Sequence, residues 1–229
     1  MGRGYNGPGP FFCKGRTMTD SREDVASQAL ARLGEPAIAS FEEDTDAAEK
    51  VALLYEPTIL QLLSSHDWSF ATRRAVLPED AAANPLNEWA RGFLMPPLKT
   101  NRVGSPLMVF NSTSVGARPF FDYEVQGRWI LTNATVIAIE YIYRVPESQW
   151  PGYFNTLAVE ALAATLALPV TENASKDATH RAIAYGSPSH AGRGGLFSTA
   201  TTADATGEPT RSLLDDNDFM TSVRFGGAR

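Results

Sequence analysis

The chain has 229 residues, 43% of them hydrophobic, and one cysteine, Cys13; this is enough apolar side chain for a substantial core, and it excludes an internal disulfide. Its 26 acidic side chains outnumber its 20 Lys and Arg, a formal charge of -6, which argues against a protein that grips phosphate backbones through a basic face. No Cys/His spacing suggests a zinc site, and no uninterrupted run of about 18 apolar residues argues for a membrane span, so the expected place of synthesis is a reducing cytoplasm.

Residues 1–18 carry Gly2, Gly4, Gly7, Gly15, Pro8 and Pro10 among the cations Arg3, Lys14 and Arg16, without the apolar centre of a signal peptide. They read as a disordered leader, and Met18, just before a helix start, points to a start-site extension or an expression remnant. The first helix is predicted to begin at 19–21, where Asp20 with Glu23 and Ser21 with Asp24 both have the spacing of a reciprocal cap. Val25, Ala26, Ala29, Leu30 and Leu33 share one face, Gly34 supplies the left-handed close, and Pro36 blocks resumption. A second helix is predicted over 45–66, capped by Asp44 or Thr45, with Ala48, Val51, Ala52, Tyr55, Ile59, Leu62 and Leu63 as its apolar set. Pro57 falls inside this pattern and removes a backbone donor, so a kink is expected in preference to two shorter helices.

From 68 to 145 the pattern changes to short strands punctuated by Pro, Gly and Asn, with candidates at 70–77, 89–94, 107–110 and 121–125. A hairpin is the clearest signal: Tyr123 and Val125 alternate with Asp122, Glu124 and Gln126, Gly127 supplies the turn, 129–132 returns, and 135–144 forms a longer strand. The loops at 78–87 and 96–106 are long for a compact domain, and such loops commonly make external contacts.

A third helix opens at Pro151 and carries Phe154, Leu157, Ala158, Ala161, Leu162, Thr165 and Leu168 on one stripe. Pro169 is expected to end it, and Thr171 to cap a fourth helix that runs to about Tyr185, with Gly186 and Pro188 as stop signals. The expected fold class is therefore α+β, mainly α: a four-helix bundle from 19–67 and 146–186, a small antiparallel β subdomain inserted at 68–145, and an extended C-terminal arm over 187–229. The arm is rich in Gly, Ser, Thr and Ala, with apolar clusters at Leu196-Phe197, Leu213-Leu214 and from Phe219 to Phe225. It is expected not to bury enough surface to order itself, and apolar clusters on flexible spacers suit docking to a partner better than they suit a plain disordered tail.

Ser64, Ser65, His66 and Asp67 supply the residue types of a hydrolytic triad, but neighbours on a helix end point in different directions, and His66 at a helix C-terminus is explained by the dipole. Glu42, Glu43, Asp44 and Asp46 lack the spacing of a calcium loop and read as a solvated helix start. Gly192-Arg-Gly-Gly195 follows no strand and opens no convincing helix, so it reads as a flexible linker and not a phosphate cradle. Arg73, Arg74 and Arg91 with Trp68, Phe70 and Trp89 could form an aromatic-basic nucleic-acid surface. The favoured reading makes Trp68, Phe70, Trp89 and Trp129 core of the β subdomain, or part of a subunit interface, with Arg73 and Arg74 facing water or an adjacent subunit. No catalytic, cofactor-binding or metal-binding residue is assigned, and no cofactor is expected.

Several segments in order carry a family resemblance: Ala31-Arg-Leu-Gly-Glu-Pro-Ala-Ile38, Tyr55-Glu-Pro with Leu62-Leu63 leading to Trp68-Ser-Phe-Ala71, Val125-Gln-Gly-Arg-Trp-Ile-Leu-Thr132, Tyr141-Ile-Tyr-Arg-Val, and 154–169. Over about residues 25–173 the chain resembles the tail tubular protein A group, the head-to-tail adaptors of short-tailed phages. The resemblance implies a virion component with no enzymatic activity, made in the host cytoplasm and assembled as a dodecameric ring beneath the portal. It further implies that the other face meets a tail nozzle resembling tail tubular protein B and that double-stranded DNA passes through the channel. Helices would pack the ring, the β region would face the tail, and the C-terminal extension would face the portal; the arm's own clusters put Leu213, Leu214, Phe219, Met220, Val223, Arg224 and Phe225 at that contact. The chain's acidity suggests a channel that repels phosphates. Another head-completion or stopper protein of the same junction is the alternative.

Overall fold

The computed structural model describes residues 21–83, 89–114 and 117–207. The leader and the portal-contact set Leu213, Leu214, Phe219, Met220, Val223, Arg224 and Phe225 lie outside the described residues. What is described is a mixed α+β protein with five α-helices and two three-stranded antiparallel sheets.

Helix α1, Arg22–Leu33, begins at the Ser21–Asp24 reciprocal cap and ends at Gly34 with φ 81°. Helix α2, Asp46–Ser64, is capped by Thr45, whose hydroxyl accepts the Ala48 N–H at 3.2 Å. It runs unbroken through Pro57. That proline and its neighbours Leu53 and Glu56 are exposed, so the missing hydrogen bond falls on the solvent side, where water can take its place.

Helix α3, Gly152–Thr171, does not stop at Pro169 as the sequence suggested. Leu168 and Pro169 are exposed, and the helix closes instead at Glu172, which takes the left-handed conformation with φ 52°. The cap of helix α4, Ala174–Tyr185, is accordingly Asn173 and not Thr171: its side-chain oxygen accepts the N–H groups of Ser175 and Lys176. Thr171 is still helical, and its hydroxyl donates to the Ala167 carbonyl.

Residues 195–206, read from the sequence as part of the extended arm, form helix α5, Gly195–Thr206. Few large side chains suffice, because Phe197, Ala200 and Asp204 recur at helical spacing and face the body, where all three are buried. Gly192–Gly195 is likewise no free linker. The Gly194 N–H donates to the Tyr185 carbonyl, and a Cβ on Gly195 would lie 2.3 Å from the Ile183 carbonyl oxygen, so these glycines allow α5 to start against the end of α4.

Helices α1, α2, α4 and α5 all pack on α3. That explains why α3 is buried nearly all round, from Phe154 to Ala167. It is the one described helix long and apolar enough to cross a membrane, but it serves here as the core.

Between α2 and α3 lie β1 (Thr72–Val76), β2 (Arg91–Leu94), β3 (Val103–Phe110), β4 (Glu124–Gln126), β5 (Trp129–Thr132) and β6 (Ala138–Ile142). One sheet has the order β1-β6-β3 and the other β2-β5-β4. The expected hairpin is present, with Gln126 opposite Trp129 and Gly127 at φ 59° in the turn. A second apolar core, with Phe93, Ile130, Val109, Ile139 and Tyr141 at its centre, draws residues from both sheets. On the opposite side, Val103 and Ile142 join the helical core, so the first sheet connects the two.

Candidate interaction surface

Alternation along β1 sends Arg73 and Arg74 to opposite faces. The Arg74 guanidinium lies 3.7 Å over the Phe110 ring and 3.3 Å from the Glu140 carboxylate, its register partner on β6. It thereby covers the otherwise buried Phe110. Arg73 lies 4.1 Å over the Tyr143 ring and lines a small recess with Thr100, Asn101 and Tyr141. Both arginines are stacked on aromatic rings, Phe110 at the end of β3 and Tyr143 just after β6.

Trp68 and Phe70 are corrected in position: they belong to the helical core, not to the β subdomain. Trp68 is fully buried, donates its indole N–H to the Leu62 carbonyl at 2.9 Å, and meets Phe154 edge-on at 5.1 Å. Phe70 packs on the same Phe154 ring at 4.9 Å. The sequence places both beside the first strand, but the 3-10 turn Ser69–Ala71 carries them under α3 before the strand begins. Trp89 and Trp129 are half-buried on the second sheet and not in its core. Their indole N–H groups donate to Glu124 at 3.0 Å and Asp80 at 2.9 Å. The Trp129 bond, followed by that from the Ala82 N–H, holds the Asp80 carboxyl below its ordinary range.

Among the described residues, the β unit also carries most of the exposed large apolar side chains. Val76, Leu98, Leu107, Met108, Phe121, Val125 and Val136 belong to it, whereas the helices contribute Leu53, Leu168 and Ile183. Phe121, between β3 and β4, is 82% exposed. Val125 sits on β4, a three-residue edge strand. Exposed apolar side chains suit contact with another protein where they adjoin one another.

The helical body is tied by buried carboxylates that sequence reading missed. Asp204 of α5, 4% exposed, accepts the Ser69 N–H at 2.9 Å, the Ser69 hydroxyl at 2.7 Å and the Tyr153 hydroxyl at 2.6 Å. Burial, and then the bond to Asp204, pushes the Tyr153 phenol above its ordinary value, so it remains a donor. Glu160 of α3, 1% exposed, receives Arg32 from α1 and the His180 Nδ1 of α4 at 2.6 Å. A third node joins α2 to the start of α3: Arg144 pairs with Glu56 at 2.9 Å and Glu147 at 2.6 Å, and Tyr55 donates to Glu147 at 2.9 Å. Burial opposes the Arg144 charge, but the bonds to Glu56 and Glu147 outweigh it and raise its pKa.

The hydroxyls of Ser64 and Ser65 are spent on helix-end carbonyls, those of Gln61 and Leu62. His66 instead lies edge-on to Trp68, with its Nε2 3.9 Å from Asp204. The geometry thus gives His66 a place beside the α5 anchor and does not align it with either serine. At the start of α2, Asp46 pairs with Lys50 at 2.6 Å and Glu43 accepts the Ala39 N–H, as suits a solvated helix entry.

A groove of about 840 Å³ opens between the end of α2, the outer side of α4 and the turn into α5. Ala178, Ala182, Tyr185, Pro188 and Phe197 supply its apolar lining. Arg181 and Arg193 flank it; Arg181 is paired with Asp177 at 2.8 Å, whereas Arg193 is exposed.

No protein-family model matches the sequence, and no curated protein matches it.

Proposed function

We propose that this chain is a structural head-to-tail adaptor of the tail tubular protein A kind, which assembles as a ring between a phage portal and a tail nozzle and lets double-stranded DNA pass. The observation that carries the reading is the division of labour across the surface: a helical body closed around α3, and a β unit that holds seven of the ten exposed large apolar side chains among the described residues. A subunit that holds neighbours together needs such a surface, and burying it yields about 25 cal/mol per Å² of apolar area.

In this reading the helices form the bundle that packs the ring, the β unit faces the nozzle, and the arm, with Leu213, Leu214, Phe219, Met220, Val223, Arg224 and Phe225, meets the portal. Acidic side chains lining the channel would keep the genome's phosphates from adhering. The work is done by docking and not by a reaction.

The test is the mass and the electron-microscopic appearance of the purified protein, alone and with isolated portal. Closed rings that attach to portal support the proposal. A protein that stays monomeric and binds neither portal nor nozzle overturns it, and attachment in a layer beyond a preformed adaptor ring would assign the chain to the stopper or head-completion proteins.

A further inference from the structure

The groove beside α4 is a partly apolar trough with Arg193 on its flank, and the chain itself carries a matching sequence. Leu213-Leu214-Asp215-Asp216-Asn217-Asp218-Phe219 places apolar side chains at both ends of an acidic run. The trough offers Tyr185, Pro188 and Phe197 to apolar groups and Arg193 to acidic ones, while Arg181 and Asp177 on its rim are paired with each other. Arg193 has no ion pair among the described residues, so its charge is available.

We propose that the segment 213–219 docks in this groove of its own chain, which makes the groove a parking site for the C-terminal arm before it engages a partner. Reach permits this. Helix α5 is about 18 Å long, and the five residues between Gly207 and Leu213 can span roughly 20 Å, so Leu213 can return as far as the start of α5, which borders the groove. The near side is closer: Asp204, in the last turn of α5, approaches His66 at 3.9 Å, and the adjoining Ser65 lines the groove.

Two properties favour the chain's own segment over a partner's. The tether raises its effective concentration at the groove, to the millimolar range for a short flexible linker. Complementarity is also specific in sign: in the docked state aspartates would meet Arg193, and leucines and a phenylalanine would meet the apolar lining. A parked arm would keep its apolar side chains from joining chains prematurely. The proposal does not rest on the adaptor reading, because it concerns the dilute protein before any assembly.

The experiment is amide hydrogen exchange on the full-length chain at low concentration, read over 178–194. The parked state predicts that exchange there is slower by about tenfold than in the full-length variant Leu213→Ser, Leu214→Ser, Phe219→Ser. Arg193→Glu should lose much of the protection, and Asp216→Arg combined with Arg193→Glu should recover it. A peptide of residues 211–220, added to the triple variant, should restore protection, which separates loss of docking from damage to the fold. Equal exchange in all chains overturns the proposal. Protection that grows with protein concentration reassigns the occupant to a second copy, and protection that arises only on adding portal reassigns it to a partner; either result also overturns it. None of these outcomes decides whether the chain forms rings, so the adaptor reading stands or falls separately.

Discussion

Asp204 receives three hydrogen bonds, two from Ser69 and one from Tyr153, and it fixes α5 to the body through a group that only a carboxylate satisfies fully. In Asp204→Asn one of the two acceptor oxygens becomes an N–H₂ that must face a donor. The variant is expected to lose about 1–3 kcal/mol of stability in urea unfolding, and Tyr153→Phe, which removes one donor, to lose less. An unchanged midpoint for Asp204→Asn would mean that the anchor contributes nothing. His180 gives a pH-dependent counterpart. Burial, then the charges of Arg32 and Lys176, pushes its imidazole below the ordinary value of 6.5 while Nδ1 faces Glu160. Its folded pKa is lower than its unfolded one, so the unfolded chain takes up the proton first, and this contribution to stability is lost as pH falls below about 6.5. Asn keeps a donor near the Nδ1 position and does not titrate. Thermal unfolding should therefore show His180→Asn gaining on the parent between pH 7.5 and 5.5; a constant gap would refute the sign.

Helix α3 and helix α5 mark where local sequence signals stop being sufficient. The cap patterns of α1 and α2 and the alternation of the β4–β5 hairpin are local, and the structure follows them. Pro169 is a local stop signal that tertiary context overrides, because the turn it damages faces solvent while Leu166 and Ala167 stay packed. Restoring the N–H with Pro169→Ala should stabilise the protein by roughly 1–2 kcal/mol after allowing for the stiffer unfolded chain that proline gives, measurable by urea unfolding; destabilisation would mean that the proline fixes the turn into α4. Helix α5 was legible only through Phe197, Ala200 and Asp204, a stripe too sparse to stand out from an Ala/Thr-rich stretch. The buried carboxylates were not legible at all. Asp204 meets Ser69 across 135 residues and Glu160 meets Arg32 across 128, and nothing in the sequence couples them. Trp68 misled for the same reason: its sequence neighbours are strand residues, but its partners Phe154 and Phe197 are helical.

At the scale of the whole molecule, the helical and β parts differ in how they treat apolar surface. The first sheet buries Val103 and Ile142 in the helical core and Ile139 and Tyr141 in its own, so it ties the two cores together. Phe121, at 82% exposure, contributes little to either core. A phenylalanine this exposed can be replaced within about 0.5 kcal/mol of the parent stability, whereas an aromatic anchor at an interface contributes far more to binding. On the adaptor proposal, Phe121→Ser combined with Val125→Ser should therefore leave the unfolding midpoint nearly unchanged while weakening self-association or nozzle binding by tenfold or more, about 1.4 kcal/mol. Sedimentation velocity with and without nozzle protein reads both quantities on one sample. A variant that is as stable as the parent and associates equally well would move the docking surface off this part of the β unit, and a variant that unfolds more easily would show that Phe121 is held by contacts within the chain. Only the combination of retained stability and lost association places the β unit against a neighbour.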